Sequence, residues 1–255
     1  MNRPKGRWSP VPGCRWATWF ATNDGGRLRR SGDTPPPKGE LAANRGSEAD
    51  PAPYALFIIA LTLGYTWVLS PLWGPDRVLG GVVTGAGLLA CLAFHVRHSR
   101  TSRAWGLSAD ALLAGLLWNA LPTGFVGAAS LAVGNLLQSI VWRERPAALF
   151  LFLLLWATAQ QWALLTLVLA ACRRRMRHPA LAAGLIFGAL HLPNPLLAVA
   201  TALLGWYWCS VYLRYPNFLP AAVSHAACSF MVLNTLPRWL TGGMRIGAAW
   251  FGTLS

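Results

Sequence analysis

Residues 151–175, "LFLLLWATAQQWALLTLVLAACRRR", run apolar for about five helical turns and stop on three arginines. A stretch of about 20 predominantly apolar residues is what an α-helix needs to cross the hydrocarbon of a bilayer. The arginine run is the kind of cytoplasmic flank that orients such a helix. Near its centre stand Gln160 and Gln161, two carboxamides that hydrocarbon cannot solvate. This segment therefore predicts both a membrane span and an interior polar site.

The rest of the chain agrees. It has 255 residues, 55% of them apolar, 14 of them tryptophan and only 12% charged, where a soluble domain carries about a quarter charged residues. Nine Lys/Arg and five Asp/Glu fall in the first 50 residues. The remainder holds thirteen arginines, no lysine, and three carboxylates, Asp76, Asp110 and Glu144. The net charge of +14 thus comes from a basic tail and from arginines that punctuate apolar runs. That pattern follows the positive-inside rule; it is not the solvated basic face that reads nucleic acid, so no nucleic-acid partner is expected. Five cysteines without paired spacing read as small buried hydrophobes.

The expected architecture is all-α, a polytopic transmembrane bundle of about six to eight helices behind a disordered N-terminal tail. Residues 1–52, rich in Pro, Gly, Arg and Ser, form that tail. Residues 53–238 form the membrane domain, and 239–255 a C-terminal tail. The spans are 54–73, 78–96, one within 107–140 broken near Pro122–Gly124, 147–171, and 218–236. Residues 180–213 are too long for one ordinary span, and Pro193 and Pro195 in "HLPNP" should break or kink them. The loops 97–103 and 173–177 hold three and four arginines. With alternating crossings they lie on one side with the N-terminal tail, which predicts a multi-pass protein of the cell membrane with that tail in the cytoplasm.

Three intramembrane polar positions are candidates for chemistry: the Gln160/Gln161 pair, His191 in "FGALHLPNP", and His225 in "LPAAVSHAACSF". On three separate helices they would converge on one cavity. Each histidine alone is as readily a hydrogen-bonding residue of the bundle, and interhelical hydrogen bonding is the plainer role for the glutamines.

Their order and spacing resemble the CPBP family of membrane proteins, which includes type 2 CAAX prenyl proteases and the bacteriocin-processing and immunity proteins. The family motifs run E-E-x-x-x-R, F-x-x-x-H and H-x-x-x-N. Here the second stands as Phe187 to His191, and the third as His225 with Ser229 in the asparagine position. The first aligns to Gln160, Gln161 and Leu165, so both glutamates and the arginine are replaced. The resemblance covers residues 105–236. In active relatives it implies a glutamate that, with histidine, activates water for intramembrane peptide cleavage. A glutamine amide keeps the shape but cannot take up the proton.

Two functional expectations follow. The first is a non-catalytic member of the fold that binds a membrane-inserted peptide or protein segment within the bilayer. The second is an active intramembrane peptidase in which His191 and His225 activate the water. A solute transporter is a third class, but no inverted repeat of the kind many transporters show is evident. No cofactor is expected, and no metal, because a catalytic zinc site takes three protein ligands and only two imidazoles are on offer.

Overall fold

The computed structural model describes residues 50–70, 106–142 and 144–253, and between 70 and 106 only Ala86, Leu89 and Ala93. The tail 1–49 and most of the expected span 78–96 lie outside the described residues. Residues from Glu48 onward belong to one compact unit.

The described residues are helical, with no strand beyond one isolated antiparallel bridge, Leu107 to Asn217. Four helices are long and apolar enough to cross a membrane: α1, Ala52–Leu69; α2, Ala109–Leu136; α3, Pro146–Arg175; and α5, Pro195–Arg214. Between the last two lies the short α4, Pro179–Ala189, and after them α6, Leu219–Thr235, and α7, Arg238–Thr241. The fold class is the expected all-α membrane bundle. Only 17–39% of each spanning window is buried within the protein. The rest shows Leu113, Leu117, Leu121 and Phe125 on α2 and Leu151, Phe152 and Leu155 on α3 to the outside. An apolar exterior of that extent suits lipid, not water.

The helix starts follow from sequence. α3, α4 and α5 open on Pro146, Pro179 and Pro195, whose missing N–H is no loss in a first turn and whose fixed φ suits it. Asn194 caps α5 by accepting the Leu197 N–H at 3.1 Å. Its amide donates to the carbonyls of Thr241 (2.8 Å) and Arg245 (3.1 Å). The fully buried Asn194 thereby ties the turn before α5 to the chain beyond α7.

"HLPNP" breaks the 180–213 stretch into two helices that pack side by side as α4 and α5. Their contact is made by glycine. A Cβ on Gly184 would collide with the backbone nitrogen of Trp206, and one on Gly188 would lie 2.6 Å from the Ala198 carbonyl oxygen. Gly184 and Gly188 form the small-xxx-small spacing that lets membrane helices approach closely.

One expectation is corrected. α2 runs unbroken through Pro122. Proline cannot donate to the carbonyl four residues back, which belongs to Trp118, and that orphan would normally strain a helix in lipid. Here the Tyr207 hydroxyl of α5 donates to Trp118 O at 2.8 Å, and Thr123 Oγ1 donates to the Asn119 carbonyl at 2.7 Å. A neighbouring helix replaces the missing bond, so the break does not occur.

α3 carries a π-helical segment, Ala163–Val168, and α1 another, Gly64–Leu69. All six residues of the α3 segment are buried. α6 packs against α2 and α3. Beyond α7 the chain makes short 3₁₀ turns, Gly242–Met244 and Gly247–Thr253. Gly247 donates its N–H to Leu192 O at 2.9 Å, and its Cα backs onto the Thr66 carbonyl of α1. At one end of the bundle, Arg175 at the close of α3 meets Asp50 before α1, Nη2 to Oδ2 at 2.7 Å.

Candidate functional site

Adjacent residues on a helix of 3.6 residues per turn point about 100° apart, and the two glutamines accordingly face different surroundings. Gln161 is completely buried. Its Nε2 lies 3.2 Å from Nδ1 of His225 on α6. Oriented this way the amide donates, which places the proton of a neutral His225 on Nε2. Gln161 Oε1 then has no hydrogen-bond partner. Turning the amide over would only exchange which of its two ends is orphaned.

His225 is held on its ring faces as well. It stacks on Trp208 of α5, centroids 5.0 Å apart and planes 28° apart, and meets Phe187 edge-on at 5.8 Å. Trp208 is itself fixed: it is fully buried and donates Nε1–H to Ser224 Oγ at 3.1 Å. Ser224 in turn lies 2.7 Å from Thr123 Oγ1 of α2. Four helices thus set the orientation of one imidazole.

His191 sits two residues past the end of α4, in the turn and not on a helix. That departs from the expectation of three helices, and the cause is the Pro193–Pro195 turn that ends α4 early. Its Nδ1 lies 2.7 Å from the Phe187 carbonyl, so that nitrogen donates and Nε2 carries the lone pair. The Phe187 ring meets His191 edge-on at 4.8 Å. One phenylalanine therefore touches both imidazoles.

Gln160 faces a cavity of about 430 Å³ together with Phe187 and His191. The other walls are the Ile58–Ser70 face of α1, the Trp156–Val168 face of α3, and residues 243–249 beyond α7. Both π segments border it, Tyr65 and Thr66 from α1 and Ala163, Leu164 and Val168 from α3. Breaks of this kind in α-helical bonding recur at functional sites.

The structure thus brings Gln161, His225, Phe187 and His191 into one cluster and turns Gln160 to the cavity beside them. Ser229, one turn beyond His225, is buried on α6. Leu165, where the family motif carries arginine, is 1% exposed inside the α3 π segment. Its site is an aliphatic core position, and among the described residues no carboxylate follows Glu144 to serve it as a counter-ion. Nor is any group of three His, Cys, Asp or Glu among them placed to hold a metal ion.

Sequence reasoning missed Trp208, Ser224 and the two outer walls of the cavity. A tryptophan among fourteen gives no signal of stacking on a histidine. The α1 wall and residues 243–249 lie outside the stretch whose motifs could be aligned.

Residues 142–231 match the family described as type II CAAX prenyl endopeptidase, Rce1-like. The resemblance to the CPBP family is borne out over this segment, which carries Gln160, Gln161, His191, His225 and Ser229. No curated protein and no solved structure matches the chain. Over this segment the chain is similar to the CAAX-type endopeptidases, and its long apolar helices are those of a membrane protein.

Proposed function

We propose that this CPBP-like membrane protein binds a membrane-inserted peptide or protein segment and does not hydrolyse it. The observation that carries the reading is the Gln161–His225 pair. Where the family motif places a glutamate, an uncharged, fully buried amide is hydrogen-bonded to the histidine. Activation of water needs a group that accepts its proton near neutral pH, and burial can bring a glutamate into that range. An amide has no such state. Of the two histidines that could serve instead, His225 has its Nδ1 engaged by the amide and its ring enclosed by Trp208 and Phe187, and His191 has no carboxylate beside it to pair with. The loss of the motif arginine at Leu165 and of the asparagine at Ser229 supports the same conclusion.

In this reading the protein spans the cell membrane several times with its N-terminal tail in the cytoplasm. The ion pair between Asp50 and Arg175 supports that side, because it joins the start of α1 to the arginine-rich end of α3.

The test is a cleavage assay. Full-length protein in liposomes is given a prenylated CAAX-type peptide and, separately, a transmembrane peptide. Neither is cut, and Gln160→Glu, Gln161→Glu and the double variant are also inactive because Leu165 and Ser229 remain. Cleavage by the wild type that His191→Ala abolishes would replace this reading with an active peptidase built on His191 and His225.

A further inference from the structure

The cavity beside Gln160 has a shape and a charge that narrow what enters it. It follows α1 from Ile58 to Ser70 and α3 from Trp156 to Val168. Twelve steps along each, at 1.5 Å rise, make it about 18 Å long. Spread over that length and widened by the 1.4 Å radius of the water molecule whose centre it admits, its volume of about 430 Å³ gives a cross-section of about 54 Å². A helix 10 Å across needs about 80 Å². The space therefore takes one thin chain and excludes a helix.

An extended peptide is thin enough but brings an N–H and a C=O with every residue, and buried backbone groups demand partners. The two long walls, α1 and α3, are helices whose own backbone bonds are closed. The hydroxyls of Thr62 and Thr66 are tied to the carbonyls of Ile58 and Thr62, each at 2.8 Å. His191 Nδ1 is committed to Phe187 O. The side-chain groups that remain, on Tyr65, Ser70, Gln160 and His191 Nε2, are fewer than the N–H and C=O groups of the five or six residues that a strand about 18 Å long would bring, whereas a hydrocarbon chain needs none.

One cavity residue is charged. Arg245 reaches the cavity from the turn beyond α7, held there through its carbonyl by Asn194. Among the described residues no carboxylate lies within ion-pair distance of it. Two residues on, Gly247 backs onto Thr66, which puts this turn against α1 nearer Ser70 than Ile58. The opposite end is walled by Ile58, Leu164 and Val168.

We propose that this cavity holds a single-chain amphiphile with an anionic head, its hydrocarbon between α1 and α3 and its head on Arg245. The proposal rests on the reading that the protein binds and does not cleave; the membrane-inserted segment of that reading then binds outside the interior cavity, which holds the amphiphile. The head is a carboxylate or a phosphate, as in a fatty acid or a lysophospholipid.

Purified full-length protein in a non-ionic detergent is titrated with cis-parinaric acid, a fluorescent fatty acid. Saturable binding is expected, displaced by palmitate or by lysophosphatidylglycerol; whichever competes better names the head group. Hexadecanol, of equal chain length but uncharged, competes about tenfold less well, the worth of one charge-assisted contact. Arg245→Ala weakens parinarate about tenfold and Arg245→Lys restores most of it. Ala159→Trp, which fills the channel beside Gln160, abolishes binding. Equal competition by hexadecanol, or unchanged affinity in Arg245→Ala, would overturn the anionic head. Unchanged affinity in Ala159→Trp, or no saturable binding, would overturn the cavity as the site. Peptide cleavage by the same preparation with parinarate binding intact would remove the non-hydrolytic reading and leave the ligand class standing.

Discussion

Gln161 Nε2 and His225 Nδ1 meet at 3.2 Å between α3 and α6, one side chain wholly buried and the other nearly so. The pair has two consequences that can be separated. It positions an imidazole, and it joins two helices across the bundle. Interhelical hydrogen bonds in lipid average about 0.6 kcal/mol and reach about 1.7.

Replacing Gln161 by alanine removes that bond and leaves a void in a closed site, so a loss of about 1–3 kcal/mol is expected. Gln160→Ala, in the half-buried position facing the cavity, should cost about 0.5 kcal/mol or less. The comparison is made by thermal unfolding of the two variants in detergent. Equal midpoints would show that the adjacent amides do not differ in role, contrary to their placement.

The Tyr207–Trp118 hydrogen bond explains an unbroken α2, and its effect depends on Pro122. Tyr207→Phe removes the hydroxyl's bond to the Trp118 carbonyl and should cost about 1 kcal/mol. In a Pro122→Ala background the helix supplies its own N–H at that carbonyl, and the same substitution should become nearly neutral. A double-mutant cycle measures the difference. Additive effects would mean that the hydroxyl is not what replaces the proline's missing bond.

What the sequence revealed and what it hid have physical causes. The apolar run ending at Arg173–Arg175 announced a span because its length and its flank are one-dimensional properties. Pro193 and Pro195 announced the break between α4 and α5 for the same reason. Pro122 misled because the partner that satisfies Trp118 O lies 89 residues away on another helix. The π segments were invisible: where all six residues from Ala163 to Val168 are buried, no polar face records the period. His191 and His225 were legible through their motifs. The cavity was not, because two of its walls come from α1 and from residues 243–249, which carry no motif.

The α4–α5 contact sets the place of Phe187 and hence of both histidines. Gly184 and Gly188 lie against backbone atoms of α5, not against flexible side-chain ends, so an added methyl cannot be absorbed by a rotamer change. Gly184→Ala should separate the helices and cost about 1–3 kcal/mol. Because Trp208 is on α5, the stack on His225 should loosen with it, and tryptophan fluorescence should shift toward that of a wetter environment. A variant as stable as the parent, with unaltered emission, would show that α4 and α5 are not held by this close approach.

Asp50 gives a pH test at the bundle's edge. Its carboxylate accepts from Arg175 Nη2 at 2.7 Å and Nη1 at 3.4 Å and from the Ala52 N–H at 3.1 Å. The bond from Arg175, then that from Ala52, hold its pKa down at about 2 against an ordinary 3.8. A carboxyl with a lower pKa folded than unfolded binds more protons when unfolded, so stability rises with pH across the interval. The contribution is complete above about 4 and disappears as pH falls toward about 2. Both partners are about half exposed, so the effect is small and weakens with salt. Asp50→Asn should flatten the unfolding midpoint between pH 4 and 2, as read from pH-dependent melts at low ionic strength. Parallel curves for variant and parent would mean that the start of α1 is not tied to α3 through this pair.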